Sequence, residues 1–246
     1  MATAALVVIG DEILSGKTVD TNTPFLVAEL RSLGVALREI AVVADDVAAI
    51  AEAVQRVAPR VDHVFTSGGV GPTHDDVTMA GIAAAFAVPI VRHPGLEQLL
   101  RAHYAEKNLE LVERNLRMAD VPQGTDLVDG PYLRWPVLRA RNVYILPGIP
   151  EIFRRKFLAI RETFRDAPFH LRQILVRSEE GAIARHLDVV AAKYTEVALG
   201  SYPRLEPAED GHQVKLTLEG KDRERVERAA RELAELLGPL LIVREL

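Results

Sequence analysis

The chain of 246 residues contains no cysteine. That absence excludes disulfides, thiolate catalysis and cysteine-ligated zinc, and it suits a reducing compartment. There is no basic excess either. Lys and Arg number 30 against 35 Asp and Glu, a formal net charge of −5, the reverse of what a nucleic-acid-coating chain shows. No apolar run approaches the length of a membrane span. The opening MATAALVVIGDE is apolar, but it has no basic start and reaches acid at Asp11, so it does not read as a secretory signal. These absences predict a soluble, cytoplasmic protein with neither nucleic acid nor membrane as partner. Familiar catalytic signatures are missing too: no GK[ST] of a P-loop, no third glycine of a dinucleotide fingerprint, no G-x-S-x-G elbow and no H-E-x-x-H. His63, His93, His103, His170, His186 and His212 show no metal-ligand spacing. Internal repeats and low-complexity tracts are absent.

What is present is ordinary globular composition, 48% hydrophobic and 26% charged, enough for a sizeable core. The first two thirds alternate short apolar runs with helical patterns. ALVVIG (5–10), LREIAVVA (37–44), VDHVFTS (61–67) and RNVYILPG (141–148) read as strands buried on both faces. Between them lie helical faces carrying Leu26, Leu30 and Leu33, then Ile50, Val54 and Val57, then Ile82 and Phe86. Pro24 fits a first helical turn, Gly34 a C-terminal cap, and Asp45 or Asp46 an N-cap. PGLEQLLRAHYAEK (94–107) and LELVERNLRMAD (109–120) are also helical in pattern, and Phe153, Phe157, Ile160 and Phe164 recur at 4-3-4 spacing. Such alternation predicts a mainly parallel sheet between helical layers, a three-layer α/β/α domain over residues 1–167.

From 168 to 246 the order changes to strand (169–178), helix (179–194), strand (197–205), strand (212–219), helix (222–237) and the final strand LLIVREL (240–246). This β-α-β-β-α-β order predicts a small α+β ferredoxin-like domain. Glu224 with Arg228, Glu227 with Arg231 and Arg231 with Glu235 form a solvated, ion-paired helix face. The topology is related to RNA-binding KH domains, but SEEGAIA (178–184) is acidic and has no GXXG clamp. Self-association, giving a homo-oligomer, is the better use for this domain.

Three loops follow parallel strands and so open on one sheet edge, where ligands of open α/β sheets bind. SGGVGPTHDD (67–76) offers bare backbone at Gly68, Gly69 and Gly71, then His74 and two adjacent carboxylates. Glycine permits positive φ and close approach to amides, and a following helix N-terminus favours an anion. The plainer reading is a tight turn ending in a cap, Asp76 standing just before VTMAGIAAAF. Two adjacent carboxylates rarely cap one helix, which leaves Asp75 to face the crevice, where hard oxygens suit a divalent ion. GDEILSGKTVDTN (10–22) brings Gly10, Asp11, Glu12, Lys17, Asp20 and Asn22 to the same edge, or else caps a helix with Asp20 or Asn22. ILPGIPEIF (145–153) adds Pro147 and Gly148, which read equally as a rigid turn.

Together, GDEILSG with Asn22, TSGGVGPTHDDVT (66–78) and LPGIP (146–150) resemble the molybdopterin-binding domain family, most of all the N-terminal domain of competence/damage-inducible CinA proteins. The middle motif is also similar to the corresponding domain of eukaryotic FAD synthases, and the region after 168 resembles the small middle domain of CinA-type proteins. The deamidase domain of full-length CinA proteins has no counterpart here, and its activity is not carried over. The resemblance implies a phosphate held by Ser67, Gly68, Gly69, Gly71 and Thr73. It also implies an acidic residue before VT, matching Asp76, that supports adenylyl transfer in the cofactor-biosynthesis members. Here THDD replaces their PRD, which favours the branch associated with metal-dependent cleavage of the pyrophosphate in ADP-ribose or FAD. In that branch Asp75, Asp76 or Asp11 would act as metal ligand or base toward Mg²⁺, Mn²⁺ or Co²⁺. The alternative is binding of molybdopterin or another phosphorylated pterin without hydrolysis.

Overall fold

The computed structural model describes residues 1–245. Leu246, with which the expected final strand ends, lies outside them. The chain divides into two compact units, Met1–Asp166 and the residues from Ala167 onward.

In chain order the first unit holds β1 (Thr3–Ile9), the single turn α1 (Asp11–Leu14), α2 (Asn22–Ser32), β2 (Ala36–Val43), α3 (Val47–Val57), β3 (His63–Ser67) and α4 (Thr78–Phe86). There follow β4 (Ile90–Arg92), α5 (Pro94–Glu106), α6 (Glu113–Leu116), β5 (Asp120–Pro122), β6 (Thr125–Val128), β7 (Val137–Ala140), β8 (Val143–Leu146) and α7 (Pro150–Ile160). The main sheet has the order β2-β1-β3-β8-β7-β6. Its first four strands are parallel and its last two antiparallel.

Strand periodicity divides the core. Leu6 and Val8 of β1 join Leu26, Leu30, Phe153 and Phe157 beneath α2 and α7. Ala5, Val7 and Ile9 join Ile50, Val54 and Ile82 beneath α3 and α4. The expected three layers are therefore present. His63, at the start of β3, sits edge-on to Phe164 at 5.0 Å, and burial pushes its imidazole pKa down against the opposing charge of Asp62.

The helix starts use the expected chemistry. The Asp20 carboxylate accepts the amides of Asn22 at 2.9 Å and Thr23 at 3.0 Å, and Asp46 accepts from Ala49 at 2.8 Å to cap α3. Gly34 follows α2 at φ +78°.

Residues 109–120 depart from the helix their pattern predicts. Only α6 and a 3₁₀ turn at Arg117–Ala119 form before β5. Leu109 and Val112 remain 56% and 44% exposed while Leu116 and Ala119 are buried, so only the second half of the apolar stripe finds a surface to cover, and tertiary packing is what sustains most helices. Asp120 and Val121 instead pair with β4 in a separate two-stranded ribbon.

The second unit consists of β9 (His170–Val176), α8 (Glu180–Lys193), β10 (Ala198–Pro203), β11 (Val214–Gly220), α9 (Arg223–Leu237) and β12 (Leu241–Glu245). Its antiparallel sheet runs β10-β11-β9-β12, the ferredoxin-like arrangement. Val214, Leu216 and Leu218 alternate inward against Ile183, Val226 and Leu233. On α9 the Glu224–Arg228 pair forms at 3.1 Å. Spacing pointed Glu227 to Arg231, whereas its carboxylate bonds Arg223 at 2.9 Å and Arg172 at 3.0 Å, because β9 lies alongside the helix.

Candidate functional site

The chain leaves β1 toward β2 on one side and then returns to β3 on the other, so the sheet's switch point lies between β1 and β3. At their carboxyl ends stand Gly10 and Gly68, with Pro147 and Gly148 following β8. The three loops meet closely. The Gly68 amide donates to Leu146 at 3.2 Å. A side chain on Gly68, at φ +111°, would begin 2.1 Å from the carbonyl oxygen of Ile9. One built on Gly148 would begin 3.3 Å from the Gly68 Cα. Only glycine lets these backbones approach so far.

Asn22 braces the assembly. It is 4% exposed, and its Nδ2 donates to Ser67 Oγ at 3.0 Å and to the Gly148 carbonyl at 2.8 Å. The carbonyl acceptor decides the orientation of the amide, since Oδ1 cannot face it. Asn22 Oδ1 is then a buried acceptor with no partner, which an interior seldom tolerates without a water or ligand donor. The amides of Gly69 and Val70 likewise have no protein acceptor among the described residues. Buried Thr78 holds the loop from below: its hydroxyl donates to the Gly68 carbonyl at 2.9 Å and its amide to Gly69 at 3.1 Å.

The two adjacent aspartates part company. Asp76 does not cap α4, which starts at Thr78 with Val77 in the cap position and no side-chain cap bond. One residue too far out for that role, its carboxylate turns back into its own loop. It accepts the Gly71 amide at 2.6 Å, the Thr73 amide at 2.8 Å and the Thr73 hydroxyl. Three of its roughly four acceptor sites are thus occupied. Asp75 points to solvent, with His74 Nδ1 3.8 Å away. The Thr73 hydroxyl, followed by its own amide, holds Asp75 below the usual carboxylate range. That hydroxyl has one proton, and in the structure the proton goes to Asp76.

Across the crevice, Asp45 accepts the Asp11 amide at 2.8 Å. Burial raises its pKa, opposed by that amide bond and reinforced by the fields of Glu12, Asp11 and Asp75. Asp45 was read from sequence only as a possible helix cap. Its place after β2, the parallel neighbour of β1, was the available signal for a site role. Lys17 is exposed, as Asp11 and Glu12 are, and the Asp20 carboxylate is committed to starting α2.

Asp11, Glu12, Asp45 and Asp75 thus offer hard oxygen donors, but among the described residues no three His, Cys, Asp or Glu side chains are placed to hold one metal ion. This donor set fits an ion of the Mg²⁺ type, which takes one or two carboxylates and completes its shell with water and ligand phosphate. It does not fit an all-protein cage.

An open α/β sheet with glycine loops and carboxylates at its switch point defines a binding domain for small anionic ligands. The particular family follows from comparison: residues 5–166 match the family described as "Probable molybdopterin binding domain", and the chain belongs to it. Residues 168–246 match "FAD synthase, middle domain". A probable FAD synthase of Caenorhabditis briggsae is 37% identical over 262 residues, covering 96% of this chain and 49% of that protein. A protein of Archaeoglobus fulgidus is 32% identical, covering 95% of this chain and 97% of its own. The crystal structure of CinA from Thermoplasma acidophilum, whose function is given as unknown, superposes with a TM-score of 0.58 at 30% identity, over 66% of this chain and 97% of that one. The chain spans about half the length of the FAD-synthase relatives it matches. No helix among the described residues is long and apolar enough to cross a membrane.

Proposed function

We propose that the crevice is the active site of a metal-dependent nucleotide pyrophosphatase acting on ADP-ribose, FAD or a related dinucleotide. The observation that carries this reading is the pair of unpartnered amides at Gly69 and Val70 on the same sheet edge as the carboxylates of Asp11, Glu12, Asp45 and Asp75. The amides receive oxygens of one phosphate, helped by the dipole of α4. A divalent ion, Mg²⁺, Mn²⁺ or Co²⁺, held by Asp75 with Asp11, would supply charge for the second phosphate and acidify a water. Asp75 would also orient a water for in-line attack. Asp45, whose pKa is raised by burial, accepts its proton. Oxygen bonds to phosphorus as the bridging P–O bond breaks, and ADP-ribose yields AMP and ribose 5-phosphate. Asn22 and Asp76 touch no reacting atom and hold the loops in place.

The test is AMP release from ADP-ribose, FAD and NADH with and without each metal. Asp75→Ala and Asp45→Asn are expected to lower the rate about 10²–10³-fold. Absence of AMP under every condition would sink the proposal.

A second reading is favoured by the absence of three converging metal ligands among the described residues. In it the site holds molybdopterin or another phosphorylated pterin and cleaves nothing. It predicts that pterin phosphate raises the melting temperature while adenine dinucleotides leave it unchanged.

A further inference from the structure

On the other flank of the glycine loop lies a cleft of about 180 Å³, between residues 69–73, the first turn of α4 and the β4–β5 ribbon. Met79, Ile90 and Met118 contribute apolar surface to it, Pro72 closes one side and Arg117 another. Ile90 and Met118 are 42% and 43% exposed, so this apolar surface is left open to solvent. Arg117 bonds no acceptor with its guanidinium among the described residues. The nearby carboxylate is already committed: Asp120 binds Arg92 through both oxygens, at 2.8 and 3.2 Å. Met79 also packs into the cores on both sides of it, which anchors that wall.

Thioethers and a guanidinium around a small open cleft are the chemistry that grips an aromatic face. Methionine sulfur meets ring edges, and arginine stacks on ring planes. The cleft also shares Gly69 and Val70 with the phosphate site, so a phosphate on those amides places its next group within reach. We infer that this cleft seats the heteroaromatic ring of the phosphorylated ligand, with Arg117 stacked on the ring and Met79, Ile90 and Met118 as its apolar wall. The inference rests on the phosphate-binding reading above and adds the ring as the second half of recognition. The polar lining side chains Asp76 and Asp120 are already committed to Gly71 and Thr73 and to Arg92, so the ring edge is not read by a dedicated carboxylate and several ring systems are accepted, adenine and flavin among them.

The experiment measures calorimetric affinities for ADP-ribose and for ring-free inorganic pyrophosphate in Ca²⁺ buffer, using wild type, Arg117→Lys and Met118→Ala. Arg117→Lys keeps the charge and removes the planar stack. Both positions are exposed, and thermal melts should match wild type. Each variant is expected to weaken ADP-ribose roughly three- to tenfold and to leave pyrophosphate within about twofold. Unchanged ADP-ribose affinity, or equal losses for both probes, overturns the ring seat while the phosphate site stands. A wild-type protein that binds neither probe overturns the phosphate site and the ring seat with it.

Discussion

The carboxyl edge of the parallel sheet and the small antiparallel unit solve the same problem of polar groups in opposite ways. In the second unit charge is matched at the surface. Glu227 serves Arg172 and Arg223, Glu232 serves Lys193 and Tyr194, and Glu196 pairs with Arg225. At the sheet edge of the first unit, like charges gather and buried Asn22 Oδ1 lacks a donor. Such unpaired groups cost stability when nothing occupies them. Buried unpaired atoms also occur in the second unit, at Arg172 Nε and Ser201 Oγ; what sets the edge apart is that its unpaired acceptor stands with open loop amides and clustered carboxylates, which supports the reading proposed for it.

The contrast can be broken most forcefully through glycine. Gly68→Ala forces a side chain onto the Ile9 carbonyl at positive φ. It is expected to cost about 3 kcal/mol or more and to lower the Tm by roughly 6–12 °C. Gly181→Ala in α8, where nothing lies within 4 Å, should be neutral or stabilise by about 0.5–1 kcal/mol. Differential scanning calorimetry compares them directly.

Next in size is a half-buried cation of the first unit. Lys156 on α7 donates to the carbonyls of Trp135, at 3.0 Å, and Pro136. Burial first, then Arg155, pulls its pKa down from 10.5 to about 8. The unfolded chain therefore holds this proton more tightly, and stability rises as pH climbs from about 8 toward 10.5. Urea titrations across that window should show a gain on the order of 2 kcal/mol, absent from Lys156→Met.

The divided aspartates give a smaller effect. Asp76→Ala removes three loop bonds and should cost about 1–2 kcal/mol, with faster amide exchange at Gly71 and Thr73. Asp75→Ala should stay within about 0.5 kcal/mol while lowering the proposed metal-dependent turnover about 10²–10³-fold. Equal losses of stability for the two would erase the distinction drawn between them. The smallest change belongs to the matched surface: Glu224→Ala removes one exposed i,i+4 pair, worth about 0.3–0.5 kcal/mol, and should vanish at high salt.

Much of the architecture was legible because it rests on local rules. The strands of the parallel core announce themselves as continuous apolar runs, and α9 by its charged face. The 4-3-4 phenylalanines cover one side of the sheet as expected. The antiparallel strands β5 to β7 were not legible: each has three or four residues, too short for a period to emerge. Residues 109–120 carried a helical pattern whose stripe is packed only from Leu116 onward, Leu109 and Val112 staying exposed. Within the site the glycine loop was visible, whereas Asp45 was not. Far from Asp75 in the chain, it comes within reach of that carboxylate's field only because β2 lies beside β1.

Taken alone, the sequence determined which backbones could bend and which side chains were chemically able. Glycine at 68 and 148, carboxylates at 11, 45 and 75, and the order of strands and helices are all written in residue type, since φ preference and acidity are properties of single residues. Only the tertiary structure decided which of two adjacent aspartates was free. That choice turns on where α4 begins and on the reach of Thr73 and Gly71, a matter of a few ångströms set by packing. The meeting of three loops, the brace at Asn22 and the cleft beside Arg117 are likewise products of the sheet, which brings together groups that the chain keeps far apart.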